Sequence, residues 1–509
     1  MVFSDKKVKF CGGGISMSNG YYEEGRVLEY FDTCDILVVG GGAAGHSAAI
    51  AAARAGAKDI VLLERYGYMG GDVTGGYVIM VPNLTWRDKS FVRGLQEEWF
   101  TRLSKIPGAV LGPEEGEYGS EDPLLIDRWT TIFDCVSRCP DSPVRVVRAV
   151  YYEPNQLKIE MDKMLEEEGD SIRVYYHCWA TSPIMDGDEV KGVVFESKEG
   201  RKAIKAKVVI DATGDGDIYY QAGAPCSSVS DAGTRASTTA LVYRVAGVDY
   251  NSFERWMRGN PKLFGAMMSN LSKITGFRIM PLPTNSNDMV WFNNWLGGKS
   301  CISVKDLTAT EQDVRRTIRE VIEFMRRICP IGFKDAYLYD IAPQTGVRCS
   351  RRLKGEYIMT VEDFAFHREF DDVIAWHSTI CRINDSAPIE IPYRAILPQK
   401  VESLLCPGRH LSSDNVAIDW LNLIPQCVGT GQAAGIAAVV ALSDGTSVRN
   451  VNIKKVQDIL VAQDVPLPRR EDVDPGLTEV CEKYEYGLYT ELAKKAAEDI
   501  SSLDAYRQP

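Results

Sequence analysis

One stretch constrains the fold more than any other: residues 35–64, DILVVGGGAAGHSAAIAAARAGAKDIVLLE. DILVVG (35–40) is a continuous apolar run, the pattern of a parallel strand buried on both faces. Ala43 to Ala55 is a run of small residues that reads as a helix, and Gly56 ends it. DIVLLE (59–64) reads as the next strand, completing a βαβ unit. Gly40, Gly42 and Gly45 satisfy G-x-G-x-x-G at the turn between strand and helix. The first permits a tight turn, the second lets a pyrophosphate reach the backbone, and the third allows close helix–strand packing. Ala43 and Ala44 lie in the first helical turn, whose unpaired N–H groups favour an anion. Glu64 ends the second strand, about 20 residues beyond the glycines, where an acid accepts hydrogen bonds from a ribose. The unit therefore predicts dinucleotide binding. The acid disfavours a 2′-phosphate but leaves NAD and FAD both open.

The residues after Glu64 discriminate. Arg65 leads into YGYMGGDVTGG, which prolongs the site with Gly70, Gly71, Asp72 and Thr74. A nicotinamide-binding domain would usually begin its next helix here, whereas an isoalloxazine ring needs a second glycine-rich surface. Two distant stretches agree with FAD. VVIDATGDGDIYYQAGAP (208–225) places Ala212, Thr213, Gly214 and Asp215 at a strand end. Residues 404–441 carry a strand, then Gly408 and Arg409, then a small-residue helix with Gly429, Gly431, Gln432 and Ala433. The N-terminus of that helix can face the flavin N1/O2 edge and stabilise negative charge there.

These segments occur in a familiar order: GGGAAG, ERYGYMGGDVTGG, IDATGDGD with AGAP, IAPQTGVRCSRRLKGEY, IPYRAILP, and PGRHLSS with GTGQAAGIAA. In this the chain resembles the FAD-dependent oxidoreductase family distantly related to fumarate reductase and succinate dehydrogenase flavoproteins. The resemblance spans about residues 35–445. It implies an α/β fold, with a Rossmann-type FAD-binding domain in discontinuous segments and an inserted α+β substrate (cap) domain. The expected division is an N-terminal arm (1–34), the first part of the FAD-binding domain (35–225), the cap (226–390), the second part (391–445) and a helical C-terminal tail (446–509). There are two departures. Asn422 stands where the family often carries an Arg before the last helix, which removes a fixed charge. No His-Thr motif of the covalent flavoproteins is present near Gly70, so noncovalent FAD is expected.

Substrate chemistry is less legible. Arg348, crowded with Arg351 and Arg352, can hold a carboxylate or belong to an internal ion-pair network. Tyr393 and Arg394 can line the flavin or pack at a domain junction. His377 and His410 are the histidines best placed for acid–base work, or are structural. PLPTNSNDMVWFNNWLGG (281–298) offers the stacking planes and amides of a cap, or a surface loop. Thr308 with Glu311 reads as the capping box of a helix over 307–328.

Composition bounds the rest. The 509 residues exceed one compact core, so two or three domains are expected. A net charge of −12 with no basic run argues against nucleic-acid or anionic-membrane partners. The 13 cysteines show no metal spacing. With no apolar leader, they suggest reduced thiols and a cytoplasmic protein. With only five histidines, no metal site is expected. The long arm points to a homo-oligomer. The sequence thus predicts a hydride-transferring dehydrogenase or reductase acting on a small-molecule substrate. The alternative is an electron-transfer flavoprotein subunit that serves a partner protein.

Overall fold

A computed structural model describes residues 27–86, 88–137, 143–228, 238–378 and 388–468, together with residue 25 and three short strands between Lys9 and Tyr22. Its centre is a seven-stranded sheet. The order across it is Ile172–Tyr175, Ile60–Leu63, Tyr30–Val39, Gly200–Asp211, Glu189–Ser197 and Trp179–Asp186, with Leu404–Leu405 also on Gly200–Asp211. The first four strands and Leu404–Leu405 pair in parallel, and the remaining two pair antiparallel. Ile60–Leu63 is buried along its whole length, as its unbroken apolar sequence requires.

Helix Ala43–Arg54 is the crossover between the first two central strands. It packs on helix Ile424–Asp444, and glycines set how closely. A Cβ on Gly431 would lie 2.2 Å from the Ala44 carbonyl oxygen, and one on Gly435 would lie 2.1 Å from that of Ala48. Helix 424–444 is long and apolar enough to cross a membrane, but 89% of its apolar window is buried inside the molecule. It is a core helix of this fold.

A second, four-stranded antiparallel sheet forms the inserted region, in the order Arg278–Pro283, Met289–Trp295, Tyr243–Ala246, Tyr337–Ile341. Helices Tyr250–Gly259, Pro261–Thr275 and Val304–Ile328 cover it, with Phe253, Leu271, Phe292 and Val314 in the shared core. Arg244, 1% exposed, ties the two regions together. It donates to Glu153 at 2.6 Å, from the N-cap of helix Pro154–Glu166, and to Asp340 at 2.6 and 2.9 Å.

Several expectations change. The first central strand begins at Tyr30, inside the segment read as an arm, because it pairs with Ala203 and Ile204. Residues 172–186 form two strands, Ile172–Tyr175 and Trp179–Asp186, and the chain turns between them at His177, which adopts φ +59°. The long cap helix starts at Val304, with Ser303 as N-cap accepting from the Asp306 N–H. Thr308 lies within the helix and donates to the Val304 carbonyl. Residues 281–298 are a strand pair and its turn rather than a surface loop. In the tail, helix Ile453–Ala462 is present, and the rest from residue 469 lies outside the described residues.

Candidate active site

The carboxyl ends of the parallel strands open onto one cleft, bounded on its far side by the cap sheet. Gly40, with φ +99°, makes the first turn, and a Cβ there would lie 2.6 Å from the Ala212 carbonyl oxygen. Gly42 is the N-cap of helix Ala43–Arg54 and supplies no side-chain cap. A Cβ on Gly42 would meet nothing within 4 Å, so the helix terminus faces open cleft. Gly42, Ala43 and Ala44 line that space. An uncapped helix N-terminus at an open cradle suits a phosphate group. Helix Ile424–Asp444 repeats the device: its N-cap Leu423 has no capping side chain, and Leu423, Ile424 and Pro425 line the same cleft. Two such termini, with Gly70, Gly71, Ala212, Thr213, Gly214 and Gly408 between them, fit an extended dinucleotide.

At one end of the cleft stands Glu64, 5% exposed. Its carboxylate accepts from the Gly41 N–H at 2.6 Å and the Tyr66 N–H at 2.7 Å. Burial pushes its pKa above the usual carboxylate value, and these two donors offset only part of the rise. The Arg65 guanidinium lies 5.0 Å from the Tyr66 ring centre and 5.2 Å from that of Trp179. Tyr66, Cys178, Trp179 and Ala180 also line this end, and the sequence reading missed them. No local signal marks them: they emerge beside Glu64 because Ile172–Tyr175 pairs with Ile60–Leu63, more than 100 residues away in sequence. The Cys178 N–H donates to the Glu64 carbonyl at 2.9 Å.

The middle of the cleft holds a buried charge cluster. Arg409 lines the space and donates to Asp215 at 2.9 Å, with Asp72 at 3.9 Å. Asp215 stands behind Arg409 and also accepts from the Ser350 hydroxyl at 2.6 Å. Burial alone would raise the Asp215 pKa, but Arg409 and Arg65 hold it below the usual value. Asp72 behaves differently. Burial pushes its pKa up and Arg409 compensates only partly. Gln344, on the segment returning from the cap, donates to Asp72 at 3.0 Å.

Other predicted positions do not reach the cleft. Gly45 sits under the turn, where a Cβ would lie 1.7 Å from the Gly40 carbonyl oxygen. The Thr74 hydroxyl donates to the Met69 carbonyl. Gly429 packs on His377, Gly431 on Ala44, and Ala433 is fully buried. The Gln432 side-chain carbonyl accepts from the Leu95 N–H. Only the first turn of helix 424–444 opens on the cleft, and these residues lie one or more turns further along, where small side chains serve helix contact.

Of the five positions expected to act on substrate, only Arg348 lines the cleft. Tyr393 is buried and donates to the Val448 carbonyl at 2.7 Å. Arg394 pairs with Asp372 at 2.9 Å on the surface. His377 is buried behind Gly429, and burial lowers its pKa to about 4. His410 lies under Tyr219, with Nε2 at 3.0 and 2.9 Å from the carbonyl oxygens of Asp211 and Pro407. Burial lowers its pKa as well. Arg409 and His410 are the central residues of a turn closed by the Leu411 N–H on the Gly408 carbonyl at 3.1 Å, and within it Arg409 enters the cleft while His410 is held in the core by its carbonyl partners. None of the five histidines lines the cleft.

Over a 100-residue stretch the chain is 50% identical to a urocanate reductase of Eggerthella lenta, a match covering 18% of this chain and 16% of the relative. Among solved structures it is similar to a geranylgeranyl bacteriochlorophyll reductase-like protein of Thermoplasma acidophilum (14% identity, 92% of this chain and 97% of that one, TM-score 0.43). It is also similar to p-nitrophenol 4-monooxygenase of Pseudomonas putida (11%, 94% and 99%, TM-score 0.42). Residues 35–460 match the family described as FAD dependent oxidoreductase, which takes in both central-sheet segments, the cap and the whole cleft. The chain therefore belongs to the FAD-dependent oxidoreductase family, and FAD is its cofactor.

Proposed function

We propose that the protein transfers a hydride between noncovalently held FAD and a small organic molecule seated against the cap. One observation carries the reading: the cleft that receives both uncapped helix termini is closed by cap side chains, among them Trp295 and Arg348. A protein that only relayed electrons to a partner would not need an inserted domain walling the cofactor. FAD supplies the hydride exchange when bound. The chain's own residues do the rest. Gly42 to Ala44 and the 424–444 terminus hold anionic groups, Glu64 and Arg65 take the adenosine end, and Arg409 offsets negative charge.

Asp72 is the group for the proton. It lines the cleft, touches the cap through Gln344, and its raised pKa lets it hold a proton closer to neutrality than an ordinary carboxyl.

The test is anaerobic. Purified holoprotein is mixed with small organic acids, alcohols and unsaturated compounds while flavin absorbance is followed. Bleaching by a small molecule, or reoxidation of dithionite-reduced flavin by one, is the expected result. Reoxidation only by another protein would establish the electron-transfer reading instead.

A further inference from the structure

The cap wall of the cleft is a two-strand ladder with a chemical gradient along it. Strand Arg278–Pro283 pairs with Met289–Trp295 so that Arg278 faces Trp295, Met280 faces Asn293 and Leu282 faces Trp291. Strand alternation puts these six side chains on one face, and all six line the cleft. The intervening Ile279 and Phe292 alternate to the other face and do not line the cleft, while Leu282 and Trp291 line it from the edge of the cap core. At roughly 3.3 Å per residue the ladder is about 13 Å long.

Its Arg278 end is a wall of donors. The Arg278 guanidinium lies 4.9 Å from the Trp295 ring centre and makes no ion pair with a described residue. Arg348 approaches the same ring at 5.6 Å. Its Nη2 donates to the Asn293 Oδ1 at 3.4 Å, which takes one of the two acceptor sites of that oxygen and orients the amide so that its NH2 remains as a further donor. Asp134 also lines the cleft, but from the 131–137 loop and not from the ladder. A wall of N–H donors recognises a group with acceptors only, which means an anion, and guanidinium groups match a carboxylate bidentately. The opposite end, Leu282 and Trp291, is apolar apart from one group. The buried Trp291 indole N–H has no partner among the described residues.

We propose that this ladder binds an amphipathic organic acid, its carboxylate at Arg278, Arg348 and Asn293 and its apolar body along Met280, Leu282 and Trp291. The proposal rests on the reading of the cleft as a substrate site, and names the substrate's chemical class.

The experiment titrates holoprotein with 3-phenylpropanoate and with its isosteric amide, 3-phenylpropanamide, reading the perturbation of flavin absorbance. The acid is expected to bind at least about tenfold more tightly than the amide, the scale of a charge-assisted hydrogen bond. Arg278→Gln and Arg348→Gln should each cost the acid about tenfold or more and the amide much less, with flavin content unchanged. Arg394→Gln, outside the cleft, is the control and should change neither. Leu282→Asp should weaken both probes. Equal affinity for acid and amide, no binding of either, or full acid binding by the two arginine variants would overturn the proposal. Loss of flavin from the wild-type protein on gel filtration would instead count against the cofactor-cleft reading beneath it.

Discussion

Gly42 and Gly431 separate what a glycine does for the cofactor from what it does for the fold. Gly42 has φ −66° and ψ −173°, an extended backbone open to any residue, and a Cβ there meets nothing within 4 Å. Gly42→Val therefore inserts an isopropyl group into the cleft without displacing protein atoms. The cost to the apoprotein is that of a poor N-cap residue, about 1 kcal/mol, or roughly 1 °C of melting temperature in a chain of this size. The cost to FAD is larger, because the side chain fills the approach to the first-turn N–H groups. Losing two charge-assisted hydrogen bonds at about 1.5–3 kcal/mol each lowers affinity at least about 100-fold. Gly431→Ala reverses the pattern. Its Cβ would lie 2.2 Å from the Ala44 carbonyl oxygen, so helices Ala43–Arg54 and Ile424–Asp444 must separate by about 1 Å. Overpacking of this kind costs about 1–3 kcal/mol, and it also moves the cofactor-facing turn. The assay is melting of the apoproteins together with quenching of flavin fluorescence on reconstitution. Gly42→Val should lose FAD and keep its melting temperature; Gly431→Ala should lose both. Wild-type FAD affinity in Gly42→Val would refute the placement of the cofactor at this helix terminus.

Three further outcomes are expected. Glu64→Ala strands the Gly41 and Tyr66 N–H groups at about 1–3 kcal/mol each, so flavin should dissociate faster on dilution; unchanged release would show that Glu64 does not shape the adenosine end. Asp72→Asn keeps the contact with Gln344 but removes the ionisable carboxyl; the pH profile of kcat should lose one ionisation at normal flavin content, and an unaltered profile would remove Asp72 from proton transfer. Buried His46 and His377 have pKa values lowered from 6.5 to about 4, so the unfolded chain takes up protons that the folded one resists. Stability is then full above pH 6.5 and falls as pH drops toward 4, by about 3 kcal/mol per histidine. Urea midpoints at pH 7.5 and 4.5 should converge partly in His46→Gln, and an identical acid loss in the variant would contradict this.

What could be read from the chain alone was local. The βαβ unit, its glycine turn, the small-residue helix at 424–444 and the strand ends at Asp211 and Leu405 all declare themselves through apolar runs, period and turn chemistry over about 30 residues or fewer. Such signals depend on neighbours in sequence, and a dinucleotide site at a helix terminus is built from them. Which residues share the cleft depended on long-range pairing. Trp179 reaches the Glu64 end of the cleft because Ile172–Tyr175 docks beside Ile60–Leu63. Arg278 meets Trp295 because two cap strands align in one register and not in the neighbouring one, which would turn the opposite face to the cleft. His377, His410, Tyr393 and Arg394 carry reactive groups, but tertiary packing put the first three in the core and the last on the surface. A residue type records what chemistry is possible. Burial and direction, which arise only when distant segments close on one another, decide whether that chemistry faces the substrate.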